Sequence, residues 1–486
     1  MNLQPLLEPG YYLAILPELV LCAGGMLLIL FDAFAPRAKG ALGPLALMIF
    51  LAAAWSENFF RESAVFFGGT YEISPITKLF DLTFLLAGML AILFARDYLD
   101  REGIEGGEFY ALLAWGTVGM MMMAKGLDLL IIVLGLEILS ICIFVLLGYH
   151  RRLAVSNEAS LKYFLMGAFA TGFILYGAAL FYGATQSTNI TVMARWFAGN
   201  EATPLLTVAF ILMMSGFGFK LALAPFHPWA PDVYQGAPTP VAGWLSVAPK
   251  AATLIALVRL FDAMGPVLPK VNWMNMVAAL AILSMIVGNA VAIVQRDLKR
   301  MLAYSGIAHV GYMMIAMLTV RDDSVAAVAV YTIVYAFMNI GAFGVVSLLI
   351  KNQNDPQTLD DIAGLGFRKK FYGFALALCM FSLSGLPPTA GFISKFYIFK
   401  TAIESGHITV ALIGILTSIV SVYYYLRVVY YLYMKEPAEA DIVPTHGGVF
   451  AAGALMIAVV GIIAIGLYPS PLFQAAGNAA RVLLQQ

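Results

Sequence analysis

Apolar stretches of about 20 residues follow one another along almost the whole chain, more than any water-soluble fold can bury. They fall near 11–31, 41–57, 76–95, 108–124, 127–149, 157–183 and 203–225, then at 238–262, 272–294, 301–320, 325–350, 371–400, 408–433 and 448–468. Each is long enough for a helix to cross the hydrocarbon core of a bilayer, and none shows the short alternating pattern of a barrel strand. The pattern predicts an all-α polytopic membrane protein with about 14 transmembrane helices. Composition agrees: 61% of the 486 residues are hydrophobic and 12% charged, against about 25% charged in an ordinary globular chain. The longest polar stretch, 351–370, reads as a loop, so residues 1–486 read as a single membrane domain. The first apolar run has neither a basic leader nor a small-residue cleavage site, which predicts a retained helix and not a signal peptide.

Basic clusters orient the bundle. Arg151-Arg152, Lys299-Arg300 and Arg368-Lys369-Lys370 all fall on one set of alternating loops. The positive-inside rule puts that set in the cytoplasm, and an even number of helices then puts both termini outside, in the periplasm. Net charge is zero, so nothing points to a nucleic-acid partner. Cys22, Cys142 and Cys379 are far apart in apolar runs, which fits packed thiols and excludes a disulfide framework or an iron–sulfur site. No phosphate-binding loop, metal spacing or nucleotide fingerprint appears, so the chain itself is expected to hold no metal or cofactor and to leave redox chemistry to partners.

Three runs are interrupted. One reads Ser215-Gly-Phe-Gly-Phe-Lys220-Leu-Ala-Leu-Ala-Pro225-Phe-His227-Pro-Trp, a second contains Ala248-Pro249-Lys250, and a third reads Ser384-Gly-Leu-Pro387-Pro388-Thr-Ala-Gly391-Phe-Ile-Ser-Lys395. Proline removes a helix hydrogen bond and clashes with the preceding turn. In lipid such a break survives only where protein or a wet cavity supplies partners for the freed carbonyls. Interrupted helices in corresponding positions of two halves are a mark of transporter repeats.

Beside these breaks lie charges that a bilayer penalises by about 2.5–3.5 kcal/mol each at a helix centre. Lys220, Lys250, Lys395 and Glu137 sit well inside their runs, where a proton or ion pathway is the default reading. An amine taken out of water can load and release a proton near neutral pH. A carboxylate such as Glu137 either stays protonated or pairs with a lysine, and a pair that responds to an arriving proton is a switch. The competing reading is snorkelling to the headgroups or a hydrogen-bonded neutral group. For Lys162, near the start of its helix, a surface i,i+4 pair with Glu158 competes closely with a relay role. His309 can relay protons or rest neutral on a carbonyl, and His227 is expected at the cytoplasmic end of its broken helix. Tyr423-Tyr424-Tyr425 reads as part of an interfacial aromatic belt.

The stretch Phe219-Lys220-Leu-Ala-Leu-Ala-Pro-Phe-His227-Pro-Trp-Ala-Pro231-Asp232-Val-Tyr-Gln-Gly236-Ala-Pro resembles the antiporter-like proton-translocating subunits of respiratory complex I, most of all the subunit N branch of bacterial NADH–quinone oxidoreductase. Leu-Gly-Leu-Glu137-Ile, Glu-Ala-Ser-Leu-Lys162-Tyr, Lys299-Arg-Met-Leu-Ala-Tyr-Ser-Gly-Ile-Ala-His309 and Gly385-Leu-Pro-Pro-Thr-Ala-Gly-Phe-Ile-Ser-Lys395 extend the likeness over nearly the whole chain. The resemblance implies two inverted five-helix repeats, 108–262 and 272–433, each with a broken helix. It makes Glu137 and Lys220 an ion pair, Lys250 the central lysine, Lys395 the lysine at the outward exit, and Lys162, His227 and His309 relay candidates. It also implies a bacterial inner-membrane complex whose partner subunits carry flavin, iron–sulfur clusters and quinone, with further antiporter-like subunits, lipid and protons as this chain's own partners. A stand-alone Mrp-type cation/proton antiporter is the alternative within the family, and a non-pumping scaffold the alternative outside it.

Overall fold

The computed structural model describes residues 9–60, 63–265, 273–318, 321–349, 357–436 and 448–484. The domain boundary expected at 272 and positions 351–356 of the expected polar loop lie outside these residues. Among the described residues the chain is mostly helical, with one hairpin of Ala64–Phe66 (β1) against Tyr71–Ile73 (β2). In the first half the helices are α1 (Pro9–Ala14), α2 (Leu16–Phe34), α3 (Leu42–Ser56), α4 (Pro75–Glu102), α5 (Gly107–Lys125), α6 (Leu129–Leu147) and α7 (Ala154–Thr185). Then come α8 (Ile190–Gly199), α9 (Pro204–Leu221), α10 (Trp229–Gly236) and α11 (Thr239–Met264). The remainder comprises α12 (Trp273–Val294), α13 (Leu298–Ala316), α14 (Asp322–Tyr335), α15 (Gly341–Ser347), α16 (Leu365–Arg368) and α17 (Lys370–Ser384). It ends with α18 (Ala390–Glu404), α19 (Ile408–Tyr433), α20 (Val449–Leu467) and α21 (Ser470–Leu484).

Among the described residues, 11 helices are long and apolar enough on their own to cross a membrane. Three further runs counted in the sequence, now α5, α13 and the pair α17–α18, are helical but fall outside those 11. The outer surface carries large apolar side chains such as Phe34, Trp55, Phe169 and Ile419, while the apolar, spanning part of α11 is wholly buried.

Local sequence sets the helix ends. Asp128 caps α6 by accepting from the Leu130 amide at 2.8 Å, and Asp297 caps α13 by accepting from the Arg300 amide at 2.8 Å. Each cap also pairs with a strand-like residue beyond the following helix pair: Asp128 with Asn189, Asp297 with Thr358.

Both breaks next to a lysine are built alike. After α9, Ala222 turns left-handed (φ 58°), its amide meets Phe219 O and that of Leu223 meets Gly218 O. After α17, Gly385 does the same (φ 82°), with amide bonds to Ser382 O and, from Leu386, to Phe381 O. This double bond at a left-handed residue satisfies the last carbonyls of each half-helix. The third expected break is absent: α11 runs straight through Pro249. Burial between neighbouring helices holds it together across the amide hydrogen bond that Pro249 cannot donate. The irregularity lies instead where no proline signals it, in a π-helical turn, Ala336–Ile340, between α14 and α15.

Candidate functional site

Lys220, the penultimate residue of α9, is buried, and its Nζ donates to Ser140 Oγ on α6 at 2.7 Å. The ammonium lies over the rings of Tyr163 and Phe219, 5.7 and 6.0 Å from their centroids. Glu137 sits one turn before Ser140 on the same helix and accepts from Thr171 Oγ1 of α7 at 2.7 Å. The expected Glu137–Lys220 ion pair is therefore not a direct contact; no nitrogen–oxygen approach within 4.0 Å joins them. Each instead rests on a hydroxyl, and the two hydroxyls are placed by neighbouring turns of α6 and α7. The break beside Lys220 is satisfied in protein: Ser284 Oγ accepts from the Ala224 amide at 2.9 Å, and Trp229 Nε1 donates to Phe219 O at 3.0 Å. His227 stands within this break, half-buried, with its ring edge-on to Tyr304 at 6.4 Å.

Lys250 lies near the middle of α11 with a 2% exposed side chain, and its Nζ faces Gly306 O of α13 at 3.4 Å. Tyr234 lies below it, 5.8 Å from ring centre to Nζ. Among the described residues no carboxylate lies within 4.0 Å of this ammonium. One turn earlier, Ser246 Oγ accepts from Asn339 Nδ2 of the π-helical turn at 2.6 Å, which ties that irregularity to the lysine's helix. Between Lys220 and Lys250 stands an aromatic partition: Trp229 is packed against Tyr163 at 4.6 Å and against Tyr234 at 6.2 Å.

His309, fully buried on α13, continues the row. Its Nδ1 contacts Tyr331 Oη at 2.7 Å, its Nε2 contacts Tyr425 Oη at 2.9 Å, and its ring stacks on Tyr335 at 5.0 Å. Tyr425 Oη in turn shares a short hydrogen bond with Ser305 Oγ. Beyond it, Lys395 of α18 donates to Ser384 O at 3.1 Å and to Ser418 Oγ at 2.9 Å, with the Tyr312 ring 5.2 Å away. Lys395 therefore fills the orphan carbonyl of the broken helix, as the physics of a break in lipid requires. It also lines a cavity of about 580 Å³ that reaches Lys400 and Glu404 at the end of α18.

Lys162 stands apart from the buried row. Its side chain is 41% exposed, pairs with Glu158 at 2.6 Å, and pairs with Asp232 at 2.9 Å. Asp232 in turn binds Arg300 at 2.6 Å. The i,i+4 surface pair is real, and it is the edge of an ionic cluster at the end of the bundle that carries the starts of α7 and α13.

Several residues of the row were not singled out in the sequence. Ser140 has a signal, since it is three residues after Glu137 and shares its face. Tyr163, Tyr234, Tyr331 and Tyr335 have none, because tyrosine is common in membrane helices. The sequence places Tyr425 in an interfacial belt, yet Tyr424 and Tyr425 are fully buried while Tyr423 is 60% exposed. The three point in different directions because successive helix residues are about 100° apart.

A helical membrane bundle with two like-built breaks and buried lysines across them defines the antiporter-like class of membrane proteins. Residues 126–421 match the profile of the family described as NADH:quinone oxidoreductase/Mrp antiporter, TM, and the chain belongs to this family, in its subunit N branch. It is 41% identical over 473 residues to NADH-quinone oxidoreductase subunit N of Trichlorobacter lovleyi, covering 96% of this chain and 97% of that protein. A chain of respiratory complex I from Thermus thermophilus with bound aureothin has 34% identity and a TM-score of 0.81, covering 96% of this chain and 99% of that one. A chain of the Mrp complex from Dietzia sp. shares the fold, with a TM-score of 0.82 at 19% identity, covering 100% of this chain and 98% of that one.

Proposed function

We propose that this chain is the proton-translocating membrane subunit of a NADH–quinone oxidoreductase, coupling quinone reduction elsewhere in the complex to proton movement along Lys220, Lys250 and Lys395. The observation that carries this reading is the row itself. Three buried ammonium-bearing side chains rest on hydroxyls, carbonyls and aromatic faces, with His309 and Tyr425 hydrogen-bonded between the second and third. Lysines fixed in permanent ion pairs would hold their protons; these touch only neutral groups directly and can exchange them.

Protons enter from the Lys162–Asp232–Arg300 face and reach Lys220, which senses Glu137 through one turn of α6. They cross the aromatic partition to Lys250, pass the His309–Tyr425 pair, and leave by Lys395 and its cavity. His227, beside the first break, is a relay on the uptake side. The two halves, 108–262 and 272–433, act as inverted repeats. In support, each has an Asp-capped helix with the same flanking bridge and a broken helix with the same left-handed cap.

The chain carries no redox centre of its own in this reading. Flavin, iron–sulfur clusters and quinone belong to partner subunits, and other antiporter-like subunits and lipid cover the apolar outer surface. The complex lies in the bacterial inner membrane with both termini of this chain in the periplasm, as the basic loops favour.

The test is Lys220→Ala in the assembled complex, reconstituted in vesicles. NADH oxidation with a normal subunit complement and a lowered proton-to-electron ratio is the expected result. An unchanged ratio in a properly assembled variant would sink the mechanism. Sodium-dependent proton exchange by the isolated chain would favour the stand-alone antiporter.

A further inference from the structure

A second set of buried charges lies outside the lysine row, at the end of the bundle that carries the β-hairpin. Lys125, the last residue of α5, is 1% exposed and is surrounded by three carboxylates from three different helices or helix ends. Its Nζ is 2.7 Å from Glu18 Oε1 on α2, 3.5 Å from Glu57 Oε1 just past α3, and 2.6 Å from Asp81 Oδ2 on α4. All three carboxylate side chains are at least nine-tenths buried, and Asp81 is wholly so. Tyr71 of β2 adds one hydroxyl, which donates to Glu18 Oε1 at 2.6 Å. The neighbouring basic group, Arg259 of α11, is already matched: it binds Glu72 at 2.6 Å and donates to Ala124 O at 2.7 Å.

The charge does not balance. One ammonium faces three carboxyl groups, so full ionisation would leave two uncompensated negative charges in a buried site, which proteins avoid by keeping protons. An independent observation points the same way. Glu18 Oε2 and Asp81 Oδ1 are buried without any hydrogen-bond partner, and Glu57 Oε1 has only its 3.5 Å approach to Lys125, so each can accept from a proton on a neighbouring carboxyl. A metal ion is not the missing charge, because Lys125 Nζ occupies the point on which the carboxylates converge. Among the described residues no three such side chains are placed to hold a metal.

We propose that Glu18, Glu57, Asp81 and Lys125 form a proton-binding site, separate from the lysine row, that keeps at least one proton shared among its three carboxyls at neutral pH. Such shared protons belong to the group of carboxyls and to no single one of them. A cavity of about 710 Å³, lined by Glu72, Arg259, Asp262 and Arg195, opens beside the Arg259–Glu72 pair that borders the site. It reaches Thr70 and Glu72, on either side of Tyr71.

Infrared spectra of the full chain in its assembled complex test the assignment through the stretching band of protonated carboxyl groups, recorded in H₂O and D₂O. Asp81→Asn and Glu57→Gln should each remove, at neutral pH, band intensity equivalent to one carboxyl per chain, and the lost part should be one that shifts on deuteration. Lys125→Gln should move the opposite way and add the equivalent of one protonated carboxyl. Glu57 lies at the edge of the cluster, so that variant carries the test if Asp81→Asn does not assemble. An unchanged band in Glu57→Gln, or a band that responds to added sodium and not to pH, would overturn the proposal.

Discussion

Gly391→Ala is the sharpest perturbation of the second broken helix. A Cβ at this position would lie 1.7 Å from Ser382 O and 2.6 Å from Ser382 C, with Met338 Sδ at 2.9 Å. The first of these is more than 1 Å inside the 3.0 Å limit below which Cβ contacts are essentially absent, and the obstacle is backbone. The added methyl therefore has to push α18 away from the end of α17. Overpacking of this kind costs about 1–3 kcal/mol. The same shift breaks the bond from the Gly391 amide to Ser382 Oγ, 3.0 Å, worth about 0.5–1.5 kcal/mol. Together the loss is about 1.5–4.5 kcal/mol, or roughly 10- to 2,000-fold in the population of the native break. Lys395 lies one turn further along α18 and bonds Ser384 O across the same gap, so its position moves with the helix. The assay is thermal inactivation of the assembled complex, with the proton-to-electron ratio measured in vesicles below the inactivation temperature. Gly453→Ala serves as the matched control, because nothing lies within 4 Å of a Cβ there and a helical glycine-to-alanine change gains about 0.5–1 kcal/mol. If Gly391→Ala were as stable as Gly453→Ala and pumped at the parental ratio, the reasoning from the break would be refuted.

Other expectations follow from particular contacts. Arg259→Met strands the buried Glu72 carboxylate and should cost about 3–5 kcal/mol, whereas adding Glu72→Leu should recover most of the loss; a thermal-stability cycle in which the double variant is no better than the single would contradict this. Lys162→Ala breaks only exposed pairs and should change stability by no more than about 1 kcal/mol, so a drop in pumping by a fully stable variant would report on proton uptake; a large stability loss would show that the cluster is structural. Tyr425→Phe removes the hydroxyl that joins His309 to Ser305, leaving a buried ring nitrogen short of a partner at about 1–3 kcal/mol. Proton translocation per NADH oxidised should fall several-fold in that variant with the complex still assembled, and an unaltered value would remove Tyr425 from the path.

The sequence by itself determined the all-helical membrane class, because runs of about 20 apolar residues admit few other folds. It also located Lys220, Lys250, Lys395 and Glu137, since an ionisable residue stands out against an apolar background, and it marked the two true breaks by Gly and Pro. It could not say which face of a helix is buried. A soluble helix shows its inner face by an apolar stripe, but α19 is apolar toward both lipid and protein, so Tyr425 inside and Tyr423 outside look alike in the chain. For the same reason Pro249 promised a break that packing around α11 suppresses, and the π-helical turn at Ala336–Ile340 gave no warning. Partnership was decided only in three dimensions. Glu137 and Lys220 each rest on a separate hydroxyl, Thr171 and Ser140, instead of touching, and Glu18, Glu57 and Asp81 become a buried acidic group because separate helices converge on Lys125.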